Sequence, residues 1–224
     1  YYTAAMELSQ IEVVLSRPKT SGNIGATCRA IKTMGITRLT IVGARGEYDA
    51  HEVGYTAVHA GDIWEQARFV DSLDGALSGV QLAAGTTRRL GAKRSQKRYS
   101  PEEFAVHLAG RPAGRVAVIF GNEESGLSTE ELSLCNVVIS IPTSPDFPSL
   151  NLSHAVQILS YAIYRELDAR DVGHSPIVSE DAEGLAQTVV SCLTDLGYFR
   201  HHDPGFTRRL FRDVWLRAGL SVSE

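Results

Sequence analysis

The chain has 224 residues, of which 43% are hydrophobic and 21% charged, with a formal net charge of −4. This balance excludes a largely disordered chain and a uniformly basic nucleic-acid coat, and the length suffices to bury a sizeable core. No run reaches the roughly 20 apolar residues of a membrane span. The opening YYTAAMELSQ lacks the basic and apolar segments of a secretory signal, so a cytoplasmic protein with no membrane partner is expected.

Strand-like runs bounded by turn residues occur at 11–16 (IEVVLS), 38–43 (RLTIVG), 67–70 (ARFV), 80–86 (VQLAAGT), 116–121 (VAVIFG) and 137–142 (VVISIP). Between them lie helical patterns: NIGATCRAIKTMG closing on Gly35, DAHEVGYTAVHAG, SLDGALSG, SPEEFAVHLAG with Pro101 in its first turn, and STEELSLC. Strands alternating with short helices predict an α/β fold, a mainly parallel sheet with helices on both faces. A longer helix follows, with Leu152, Ala155, Val156, Leu159, Ala162, Ile163 and Leu167 at the spacing of one buried stripe. The reading assigns a main domain to 1–168, a polar linker to 169–179 on the strength of Gly173 and Pro176, and a small helical extension to 180–224.

Cys28, Cys135 and Cys192 are far apart and outside any C-x-x-C spacing, so reduced structural thiols are expected, with neither a disulfide framework nor a metal. Two basic runs interrupt the acidic balance. TTRRLGAKRSQKR (86–98) carries six cations and no acid, and RRLFRDVWLR (208–217) sets four arginines against one aspartate. Either alone reads as a solvated face. The first has few apolar anchors, which predicts a mobile segment.

The usual glycine-rich dinucleotide, phosphate-loop, nucleophile-elbow and zinc-helix motifs are missing. Three segments remain at carboxyl ends of predicted strands, where open α/β sheets place ligands. They are SGNIGATCRAIKTMG (21–35) with Asn23 and Arg29, VAVIFGNEESGLSTEEL (116–132), and ISIPTSPDFPSLNLSHA (139–155). Each has a plain structural account: an amphipathic helix with an exposed arginine, a strand-to-helix turn, and a helix start capped by a polar residue.

In this order, N-I-G-A-x-x-R-A, F-G-N-E-x-x-G-L and I-P…S-L-N-L-S-x-A resemble the signature motifs of the SPOUT superfamily, specifically the TrmH-like RNA 2′-O-ribose methyltransferases. The resemblance spans residues 11 to about 167. It implies a deep C-terminal trefoil knot, S-adenosylmethionine (S-adenosyl-L-methionine) bound inside it, and a homodimer. Carried onto matching positions, it makes Arg29 the principal catalytic residue, with Asn23, Glu123, Ser149 and Asn151. It assigns the cofactor to Thr86, Gly121, Asn122, Glu123, Ile141, Ser149, Leu150 and Leu152. Glu123 has a second reading, shaping the cofactor loop by accepting backbone hydrogen bonds. A guanidinium holds its proton too firmly for a simple general base, so Arg29 is assigned to an RNA phosphate and the developing alkoxide.

LTDLGYFRHHDPGFTRRLFRDVW is similar to the tail of TrmJ-type enzymes, which implies tRNA as partner and the ribose at anticodon-loop position 32 as target. The helix FTRRLFRDVWLRAGL is expected to dock by Phe206, Leu210 and Val214 while Arg208, Arg209 and Arg212 reach phosphates. Arg88, Arg89, Arg94 and Arg98 are expected to grip RNA as well. The alternatives are another tRNA position, ribosomal RNA, or a knotted RNA-binding protein without catalysis.

Overall fold

A computed structural model describes residues 5–88, 96–168, 177–200 and 203–218. The chain divides into two compact units, Tyr1–Ala169 and Arg170–Glu224. The first unit contains the sheet. In chain order its elements are β1 (Ile11–Ser16), α1 (Ser21–Thr33), β2 (Arg38–Val42), α2 (Ala50–Ala57), α3 (Gly61–Glu65), β3 (Arg68–Val70) and α4 (Leu73–Ala76). They continue with β4 (Leu82–Thr86), β5 (Lys97–Tyr99), α5 (Pro101–Ala109), β6 (Val116–Phe120), α6 (Thr129–Ser133), β7 (Val137–Ile139) and α7 (Leu152–Leu167).

The strands form one sheet in the order β3-β2-β1-β6-β4-β7-β5, and every neighbouring pair is parallel. All six residues of β1 are buried, Glu12 and Ser16 included, which explains why its apolar residues Ile11, Val13, Val14 and Leu15 occupy both faces of the strand. Ile11, Val13 and Leu15 join the larger core with residues of α1, α2, α5 and α7. Val14 turns to the other face and packs with Val42, Ala117 and Ile119 beneath the short helices α4 and α6. On that second face the buried Glu12 accepts hydrogen bonds from Thr40, Arg115 and Arg68, as a carboxylate removed from water requires.

Two elements escaped the sequence reading. Lys97–Tyr99, at the end of the basic run whose composition predicts a mobile segment, is edge strand β5, hydrogen-bonded to β7. Tyr99 is its one buried residue, with Lys97 Nζ 4.9 Å from the ring centroid, so the strand's apolar signal is a single side chain. Helix α3 is five residues long and puts Ile63 and Trp64 in the core, too short to show helical periodicity. Arg89 and Arg94 lie outside the described residues, as do 169–176 of the expected linker. A trefoil knot depends on an unbroken chain path, and residues 89–95 between β4 and β5 are also outside that set.

Cys28 and Cys135 are buried, and burial, ahead of smaller effects, pushes both thiols up to about 12. Among the described residues, no helix is long and apolar enough to cross a membrane.

The second unit contains α8 (Ser179–Asp195) and α9 (Pro204–Ala218), which pack on one another. The face of α9 differs from the expectation. Phe206, Leu210 and Val214 are exposed. Arg208 and Arg212 instead meet Glu183 of α8 at 3.2 and 3.6 Å, and Arg208 also donates to Gln187. Phe211 and Trp215, stacked at 5.2 Å, are half-buried on the same side of the helix. The half-buried side of α9 thus carries Phe211 and Trp215 beside the Arg–Glu183 pairs, not the residues that apolar spacing alone selects.

Candidate active site

The carboxyl ends of β4, β6 and β7 open into a cleft of about 180 Å3. Thr86, Gly121, Asn122, Glu123, Ile141, Ser149, Leu150 and Leu152 all line it. Parallel strands bring these segments together by delivering their ends to one edge of the sheet. Leu127, Ile139, Ile141 and Leu152 supply apolar wall, while Thr86, Ser149 and loop backbone supply polar groups, the mixture that small-molecule sites need.

The turn after β6 explains its own glycines. Asn122 Oδ1 accepts from the amides of Glu124 and Ser125 at 3.1 and 2.8 Å, folding the loop over its side chain. Gly126 closes that loop with φ +67°, and a Cβ on Gly121 would stand 2.0 Å from the Gly126 carbonyl carbon. The cleft wall therefore requires glycine at both positions.

Glu123 is the joint between the cleft and α1. Its Oε2 accepts from Lys19 N at 2.8 Å; its Oε1 accepts from Thr20 N at 3.2 Å, Thr20 Oγ1 at 3.1 Å and Asn23 Nδ2 at 2.7 Å. Burial works to raise the pKa of this carboxyl, but the donors, Asn23 foremost, outweigh it and hold the group below the usual carboxylate value. Asn151 Nδ2 then donates to Asn23 Oδ1 at 2.9 Å, and Asn151 Oδ1 accepts from Ser153 N at 2.8 Å as the N-cap of α7. This order fixes both amides. A carboxylate admits only an N–H from Asn23, whose oxygen then faces Asn151 and demands an N–H in turn. Asn151 is thus both an ordinary helix cap and the end of a polar chain from three distant motifs.

Asn23, Asn151 and Arg29 do not line the cleft. Arg29 is exposed on α1 and forms no ion pair or side-chain hydrogen bond with any described residue. Of the expected RNA contacts, Arg88 stands on the cleft wall and Arg98 is exposed on β5. Arg208, Arg209 and Arg212 already have acidic neighbours, Glu183 for the first and third, and Asp203 at 3.9 Å for Arg209.

Glu131 and Arg17 belong to this constellation without any site motif that marks them in the sequence. Glu131, buried in α6, accepts from Ser16 Oγ and, at 2.7 Å, from Arg17 Nη2, while completing the capping box with Ser128. Arg17 has φ +50°, an uncommon conformation for a non-glycine residue. With Lys19 Nζ paired to Glu124 at 3.1 Å, three carboxylates of one segment, Glu123, Glu124 and Glu131, clamp the loop entering α1. The S-T-x-E capping signature was visible, but not its second set of partners. Tyr48 is no candidate base, because burial, then the charges of Glu47 and Glu123, push its hydroxyl up to about 12. Among the described residues no three His, Cys, Asp or Glu side chains converge as a metal site would need.

The model of the SpoU rRNA Methylase family matches residues 10–161, the whole of the sheet and its cleft. The chain belongs to that family. A relative from Photorhabdus laumondii, named tRNA (cytidine/uridine-2'-O-)-methyltransferase TrmJ, is 34% identical, with 97% of this chain and 92% of the relative covered. A solved structure, a probable methylase family protein from Haemophilus influenzae, superposes with TM-score 0.68 at 31% identity, covering 97% of this chain and 91% of that one. The SpoU methyltransferase AviRb from Streptomyces viridochromogenes, solved in complex with the cofactor AdoMet, shares the fold at TM-score 0.57 and 22% identity, covering 75% and 62%.

Proposed function

We propose that the protein is an S-adenosylmethionine-dependent 2′-O-ribose methyltransferase acting on tRNA, at anticodon-loop position 32. The observation that carries the reading is the Glu123–Asn23–Asn151 chain, in which three separate motifs meet at the edge of one cleft. Membership of the SpoU family supports the chemistry, and the name of the Photorhabdus relative supports tRNA. The tail motif is the argument for position 32.

The cleft suits the cofactor: apolar walls for an adenine ring, and hydroxyl and backbone groups for its polar edges. When bound, S-adenosylmethionine supplies a methyl group activated by a sulfonium. The chain's own residues align and stabilise. Glu123, occupied by four donors and with its pKa held down, is a poor proton acceptor, so its part is to position the loop and Asn23. Asn23 and Asn151 each spend one amide N–H inside the chain and keep a second for the ribose hydroxyl. Arg29 binds the adjacent phosphate and stabilises the alkoxide as it forms. The proton leaves through phosphate or water. Because Arg29 stands outside its own protomer's cleft lining, the reading includes a homodimer in which α1 of one copy completes the site of the other; sedimentation of an active monomer at micromolar concentration would remove that element.

The test uses methyl-labelled S-adenosylmethionine, a tRNA transcript and nuclease mapping. The label is expected on the ribose at position 32, and Arg29→Ala is expected to cut transfer at least ~100-fold, the scale of a lost transition-state donor, with calorimetric cofactor affinity unchanged. Label on ribosomal RNA or another tRNA arm would overturn the position and leave the chemistry standing. Neither transfer nor cofactor binding would overturn both.

A further inference from the structure

We propose that Arg88 binds the carboxylate of the cofactor's methionine moiety, and not an RNA phosphate. This rests on the cofactor reading above and deepens it.

Among the described residues, three charged side chains line the cleft, Arg88, Glu123 and Glu124. Both carboxylates are compensated within the protein: Glu123 by its four donors, Glu124 by Lys19 Nζ at 3.1 Å. Arg88 forms no ion pair or side-chain hydrogen bond with any described residue. Among the described residues it is the one cleft-lining side chain whose charge is left for a ligand. Its position is also built. Arg88 stands two residues beyond β4, and the preceding amide, Thr87 N, donates to Ile139 O of the neighbouring strand β7 at 2.9 Å, extending the β4–β7 ladder up to Arg88.

The ligand's chemistry selects one partner. S-Adenosylmethionine carries a sulfonium, an ammonium and a carboxylate. A guanidinium repels the first two and matches the third through two parallel N–H donors. Setting the carboxylate at Arg88 neutralises the uncompensated cation and fixes which end of the amino acid lies at the β4 side. An Arg88 so engaged has no charge left for a phosphate.

The experiment is calorimetric titration of the full chain and of Arg88→Gln with S-adenosylhomocysteine and with its decarboxylated analogue, which keeps the ammonium and lacks the carboxylate. Arg88→Gln is expected to weaken S-adenosylhomocysteine about three- to tenfold, the range of a partly screened charge-assisted pair. The decarboxylated analogue is expected to bind both proteins alike, and Arg88→Lys to recover part of the loss. Equal losses on both ligands, or no loss on either, would overturn the proposal. So would an Arg88→Gln protein that keeps both affinities and loses only tRNA binding, the signature of a phosphate contact. If the wild-type protein binds neither nucleoside, the cofactor reading falls and this inference with it; binding of both without dependence on Arg88 sinks the inference alone.

Discussion

Four donors converge on the Glu123 carboxylate, and their number decides its role. A general base needs an accessible lone pair and a pKa near the working pH; this group already accepts four hydrogen bonds, three of them on Oε1, and is held below its ordinary value. The sign of the linkage follows. Because the folded-state pKa lies below the 4.5 of the free group, the stabilisation is complete above that value and is lost as pH falls through the folded one. Glu123→Gln should therefore be less stable than wild type by about 1–2 kcal/mol at pH 7, and the gap should narrow below pH 4.5. Chemical denaturation of both proteins across that range checks it. A gap that stays constant with pH would mean that the charge is irrelevant and only shape is lost.

At the scale of elements, the glycine of N-I-G-A is explained by packing. A Cβ on Gly25 would stand 2.1 Å from Thr56 Oγ1, 2.2 Å from Val53 O and 2.9 Å from Ala57 N, so α1 and α2 cross with backbone almost touching. Two of these neighbours are backbone atoms of α2 and cannot rotate away. Glu52 of the same helix accepts from Gly22 N at 3.1 Å, covering one of the unpaired donors at the start of α1. Gly25→Ala should cost about 2 kcal/mol or more through overpacking, lowering the thermal midpoint by roughly 4–8 °C for a chain of this size. It should also reduce methyl transfer, since α1 carries Asn23 and Arg29. An unchanged midpoint would show that the helices separate at little cost.

For the whole molecule, the proposed function assigns one task to each of the two units. The cleft belongs entirely to Tyr1–Ala169, and α8 and α9 to the remainder. Removing residues 177–224 is expected to leave S-adenosylhomocysteine affinity unchanged and to weaken tRNA methylation about tenfold, equivalent to ~1.4 kcal/mol of lost RNA contact. Parallel calorimetry and methyl-transfer assays distinguish the two effects. The expected loss is moderate because Arg208 and Arg212 are already paired with Glu183, so an RNA phosphate must compete for them. A truncated chain that methylates tRNA at the full rate would assign no RNA role to the tail.

The sequence by itself determined the α/β class and the parallel sheet, because those signals are local; the residues of the cleft wall came from the motif resemblance. Apolar runs of five or six residues mark buried strands, and Gly121, Asn122 and Gly126 encode their turn within a few positions. It also left two readings of Glu123 open. Tertiary structure alone displayed how that carboxylate is spent, since its donors lie 100 to 104 residues away, and Asn23 and Asn151 meet across 128. The same limit hid β5, whose pairing partner is β7, and the half-buried face of α9, whose arginines pair with Glu183 of another helix. Hydrophobic periodicity reports which residues leave water; which polar groups then share a hydrogen is decided only when distant segments are brought together.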